Sequence, residues 1–136
     1  MDDLIRMSRI ATSGMKAQAS RLRVISENLA NADSVGKTPG SDPYRRKTIS
    51  FKNALDRQAG VDVVRVDKVG VDRAEFDTRY EPSHPAADEN GYVKRPNVNP
   101  LIELTDMREA QRTYEANLNV INSSKEMVKR TIDMLR

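Results

Sequence analysis

Cysteine is absent from this 136-residue chain, which excludes disulfides and thiolate metal sites. Tryptophan is absent too, and aromatic residues make up only 4% of the chain. A compact globule of this size usually fills its centre with more large apolar side chains. The shortage predicts little compact core, with stability carried by long seams between helices. No run approaches the roughly 18 apolar residues of a membrane span, so direct membrane insertion is not expected. The opening Met1-Asp2-Asp3-Leu4-Ile5-Arg6 is acidic and lacks the apolar stretch of a cleavable secretory signal. The net charge is only +3, and the longest basic run is Arg45-Arg46-Lys47. A nucleic-acid binder gathers its cations on one face or in one tract, so nucleic acid is not an expected partner.

The chemistry of catalysis is also missing. The sole histidine, His84, lies in Pro82-Ser83-His84-Pro85 with no cysteine to share a metal. Gly36-Lys37-Thr38-Pro39-Gly40 places proline where a phosphate-cradling loop needs free N–H groups. The acid pair Asp88-Glu89 sits in a polar stretch with no apolar wall to perturb its ionisation. No catalytic residue, metal or cofactor is expected, and the chain reads as a non-enzyme.

What is present is periodicity. Leu4 to Ala32 contains no proline and one glycine, Gly14. Leu4, Ser8, Ala11, Met15, Gln18, Leu22, Ile25, Leu29 and Ala32 recur at steps of three and four, a heptad seam with small or polar members. From Leu101 to Arg136 the pattern is stronger. Met107, Tyr114, Ile121, Val128 and Leu135 fall at seven-residue intervals, with Leu104, Gln111, Leu118, Lys125 and Ile132 as a matching set. Val120, Met127 and Met134 widen the apolar stripe on one flank. Pro100 precedes this segment, where its missing N–H is harmless.

The middle holds five of the six glycines and, counting Pro100, all six prolines. Val61 to Asp67 alternates apolar and polar residues like a short half-wet strand. A turn is expected around Lys68-Val69-Gly70, with a continuation to Phe76. Phe51 to Gln58 reads as a short helix or irregular arm, and Tyr80 to Pro100 as an ordered loop or extended arm. The expected fold is mainly α: two long terminal helices pairing as an antiparallel coiled coil around a small irregular β-containing insert. The segments are 1–32, 33–99 and 100–136. Gln18, Gln111 and Lys125 suit a crowded assembly interface that needs register better than a private core.

Asn28-Leu29-Ala30-Asn31-Ala32-Asp33-Ser34 resembles the Asn-Leu-Ala-Asn-Ala-x-Thr signature of the bacterial flagellar rod and hook proteins. Ser13-Gly14-Met15-Lys16-Ala17-Gln18 and Arg21-Leu22 resemble the same family's first helix. The interrupted sequel, Gly36 to Asp42 and then Pro43-Tyr44-Arg45-Arg46-Lys47, resembles its proximal-rod members. Tyr80 to Asp88, Asn90-Gly91-Tyr92-Val93, Pro96-Asn97-Val98-Asn99 and Asp106-Met107 to Asn117 agree as well.

The resemblance implies a structural subunit of the basal-body proximal rod. Such a subunit would polymerise helically through its terminal helices into a periplasm-spanning drive shaft and export channel. Its partners would be copies of itself, other rod proteins and the flagellar type III export apparatus, which would pass it without cleaving a signal. The subunit-interface residues expected are Leu22, Ile25, Asn28, Leu29, Asn31, Tyr44, Arg45, Arg46, Met107, Tyr114, Asn117, Leu118, Ile121, Val128 and Leu135. The competing expectation is a stand-alone helical adaptor that binds one partner through its hairpin.

Overall fold

The computed structural model describes residues 2–136. Helix α1 spans Asp2–Ala30 and helix α2 Pro100–Met134. Between them lie strands β1 (Lys47–Asp56), β2 (Val61–Val71), β3 (Asp77–Tyr80) and β4 (Tyr92–Arg95). The strands form two separate two-stranded antiparallel sheets, β1-β2 and β3-β4.

The expectation of a mainly α coiled coil with a small insert is overturned. Helix makes up 47% of the chain and strand 21%. The insert holds two hairpins, and their chemistry explains why. Phe51 lies in β1 because Asp56 and Gly60 build a tight turn directly after it. The Asp56 carboxylate accepts the N–H groups of Gln58 and Ala59, and Gly60 N–H donates to the Asp56 carbonyl at 2.7 Å. Gly60 takes φ +66°, open to glycine and costly for other residues. Gly70, by contrast, has no positive φ. The expected turn at Lys68-Val69-Gly70 is absent, because β2 continues through these residues to Val71.

In the second hairpin Asp77 faces Arg95 and Tyr80 faces Tyr92. Gly91 has φ +86°, and a Cβ there would fall 2.8 Å from the Tyr80 ring and 3.1 Å from Pro82. Gly91→Ala therefore combines backbone strain with a collision. It is expected to destabilise more than Gly60→Ala, whose site is open and whose cost is about 1–2 kcal/mol. Urea midpoints of the two variants check the order.

The chain forms two compact units. Unit one gathers the first helix up to Leu22, Ile49–Lys68 and Met107–Arg136. Its buried residues are small: Ala11, Ala17, Val63, Ala110 and Ser124. A Cβ on Gly14 would fall 2.6 Å from the side-chain nitrogen of Asn117, and Arg21 reaches Glu109 at 3.9 Å. Along α1 these contacts ascend while along α2 they descend, so the two stretches run antiparallel. Alanine and glycine at the crossing allow close backbone approach. That is a different packing from leucine knobs in a heptad seam.

Unit two gathers Arg23–Thr48 and Val69–Asp106. Val24, Ile25, Ala86 and Val93 are buried there, together with two polar residues, Asn28 and Glu103.

Candidate assembly interface

The expected interface residues divide into those the subunit uses on itself and those it leaves uncovered. The first group surrounds Asn28, which is 1% exposed. Its carbonyl oxygen accepts the Tyr44 hydroxyl and the Lys47 N–H, each at 2.8 Å. Its amide donates to the Lys47 carbonyl at 2.9 Å and to Glu103 at 3.5 Å. One helical asparagine thus clamps the extended segment that enters β1 and also touches the first turn of α2. Burial pushes the Tyr44 phenol up from its ordinary range, so its proton stays available for Asn28.

Glu103 is fully buried. Arg46 pairs with it through Nε and also approaches Asp72 at 3.6 Å and Asp106 at 3.9 Å. Burial works to lower the Arg46 pKa, but the bond to Glu103 and the three carboxylates outweigh it, and the net shift is upward. The cation is secure. Arg45 turns to the Asp72 and Ala74 carbonyls, and its guanidinium lies 4.2 Å from the Phe76 ring centre. Asn97 accepts the Arg46 N–H and donates to the same two carbonyls.

Asn31 behaves differently from Asn28. Its amide donates to the Glu27 carbonyl at 2.9 Å, and its oxygen accepts the Ser34 hydroxyl at 3.0 Å. It closes the helix end without a left-handed backbone, for no described non-glycine residue has positive φ. Ile25 is buried, while Leu22 and Leu29 are half-buried.

The second group lies on α2. The most buried positions there are Glu103, Ala110 and Ser124, with half-buried Asn117 completing a seven-residue row. Met107, Tyr114, Ile121 and Val128 run beside that row and are half-buried. The matching set, Leu104, Gln111, Leu118, Lys125 and Ile132, is exposed throughout, and Leu135 is 83% exposed. At 3.6 residues per turn, Leu104, Leu118 and Ile132 flank the buried arc on one side, and exposed Val120, Met127 and Met134 flank it on the other.

Helix α2 is thus covered along its middle and bare along both flanks. Two family models match the chain. Residues 9–36 match the family described as "Flagella basal body rod protein". Residues 89–134 match "Flagellar basal body rod FlgEFG protein C-terminal". The flagellar basal-body rod protein FlgC of Agrobacterium fabrum is 57% identical over 136 residues, covering 100% of this chain and 98% of its own. The chain belongs to the flagellar basal-body rod protein family. The FlgC proteins of Salmonella typhimurium (40% identical; 96% of this chain, 97% of theirs) and Bacillus subtilis (36%; 92% and 93%) agree over nearly full length. This rod protein is a structural subunit of the flagellar basal body and not an enzyme.

Within this rod subunit, sequence reasoning missed Glu103, Asp72 and Asn97. Glu103 reads as a first-turn acid suited to the helix dipole. The signal that would have marked it is its place seven residues before Ala110, in the row of small residues facing inward.

Proposed function

We propose that this subunit occupies the proximal rod and polymerises helically there through its terminal helices. Neighbouring copies and other rod proteins cover the two bare flanks of α2. The periplasm-spanning shaft so formed encloses the export channel, and the subunit reaches it through the flagellar export apparatus without losing a signal segment. The observation that carries this reading is the exposed row Leu104, Leu118 and Ile132 opposite Val120, Met127 and Met134. Full burial of such a side chain is worth about 1.5–3 kcal/mol relative to full exposure. Each gains the share it still leaves in water, from 38% at Val120 to 85% at Met134, when a lattice of helices covers it. Leu118, Leu135 and the half-buried Met107, Tyr114, Asn117, Ile121 and Val128 are the interface residues of α2 in this reading.

The direct test is mass spectrometry of purified basal bodies beside a strain lacking the gene. Recovery of the chain, with rod and motility lost in the deletion, supports the reading. Absence from clean basal bodies with motility intact overturns it in favour of the helical adaptor. Leu118→Asp refines the test. Leu118 is 39% exposed, so the substitution gives up partial burial and is expected to cost the free subunit about 1–2 kcal/mol, short of unfolding it. The same change buries an unpaired charge in the assembled rod and is expected to abolish incorporation and swimming.

A further inference from the structure

Unit one contains an apolar groove of about 710 Å³ between α1, the β1-β2 hairpin and α2. Leu4, Ile5, Val63, Val66 and Val128 supply apolar wall. Its rim is basic: Arg9, Lys16, Arg65 and Lys125 against a single carboxylate, Asp56. Arg9 is matched to Asp56 at 3.1 Å. Lys16, Arg65 and Lys125 therefore leave three positive charges in excess around the apolar wall of the groove.

Unit two carries the complement. Tyr80 and Tyr92 pack edge to face with ring centres 5.3 Å apart, yet they are 62% and 44% exposed. Glycine at position 91 lets the backbone pass close beneath the Tyr80 ring. Around this aromatic knob the chain is acidic. Over residues 75–95, Glu75, Asp77, Glu81, Asp88 and Glu89 stand against Arg79, Lys94 and Arg95, and of these cations Lys94 is matched to Asp42 and Arg95 to Asp33, in a chain whose net charge is +3. Exposed tyrosines with a polar rim are favoured anchors of protein interfaces.

We propose that the acidic Tyr80–Tyr92 knob of one subunit docks into the basic-rimmed groove of a second copy. This rests on the rod reading and deepens it by naming the contact between neighbours. The two surfaces differ, so the contact is heterologous and leaves a free knob and a free groove on every pair. Such a contact propagates into an open polymer unless its rotation closes a ring. The charges fix which partner docks and in which register.

The absence of cysteine makes the test direct. Asn90→Cys beside the knob and Ser20→Cys in the groove remove no charge and no aromatic ring. The doubly substituted chain is expressed in a strain lacking the gene, and its basal bodies are treated with a short bis-maleimide cross-linker. A ladder of covalent multimers, absent from either single variant, is the expected result. Motile cells whose basal bodies contain the chain but give only monomer would overturn the knob-and-groove contact and leave the rod assignment standing. A chain missing from basal bodies even when unsubstituted would overturn the rod assignment itself. Lys16→Glu with Lys125→Glu is expected to reduce incorporation at least tenfold, and adding Glu81→Lys with Glu89→Lys to restore it. Loss without restoration counts against charge matching at this site.

Discussion

Arg46→Ala is expected to destabilise the subunit by about 3–5 kcal/mol, because it strands a carboxylate that has no access to water. Glu103 is fully buried and meets Arg46 through a charge-assisted hydrogen bond. Asn28 offers it one further donor at 3.5 Å, too long to stand in for a cation. Arg46 also faces Asp72 and Asp106, so its loss leaves three acids gathered with less compensation. A loss this large approaches the whole stability of a small domain. Urea unfolding followed by circular dichroism reads it. The paired replacement Arg46→Leu with Glu103→Leu separates causes: it removes both charges together and is expected to recover most of the loss. An Arg46→Ala variant within about 1 kcal/mol of the parent would show that Glu103 does not depend on this cation.

The same cluster shows where the sequence was readable and where it was not. Both terminal helices, the proline opening α2 and the apolar flank at Val120, Met127 and Met134 follow from spacing alone. The position of the inward face did not. Heptad spacing marks two candidate rows on α2, Met107 to Leu135 and Leu104 to Ile132, and leucine favours the second as a partner to the first. The structure turns the second row to solvent and packs a third, Glu103 to Ser124, whose members are small or polar. Hydrophobicity cannot identify such a row, because Ala110 and Ser124 are chosen for close approach and Glu103 for a cation 57 residues earlier in the chain. The hairpins were hidden for a related reason. Phe51 to Gln58 alternates poorly, and β1 exists because the Asp56–Gly60 turn returns β2 alongside it. Its apolar residues are not periodic enough to show that.

Asn28→Asp is expected to cost at least about 3 kcal/mol although it changes one nitrogen to oxygen. The acceptor side survives, since Tyr44 and the Lys47 N–H still find an oxygen. The donor side inverts. An oxygen would now face the Lys47 carbonyl at 2.9 Å and the Glu103 carboxylate at 3.5 Å, placing two buried carboxylates side by side. Asn31→Asp makes the same chemical change three residues later in the same motif. There it removes one hydrogen bond to the Glu27 carbonyl at a half-buried helix end, worth about 1 kcal/mol. Urea midpoints of the two variants should therefore separate widely, and only Asn28→Asp should empty the basal bodies of the subunit. Equal midpoints would mean that the donor contacts of Asn28 to Lys47 and Glu103 do not carry the fold of the subunit. Unequal effects would assign Asn28 to the folding of the subunit itself, where it ties the end of α1 to the entry of β1 and the first turn of α2 before any neighbour arrives.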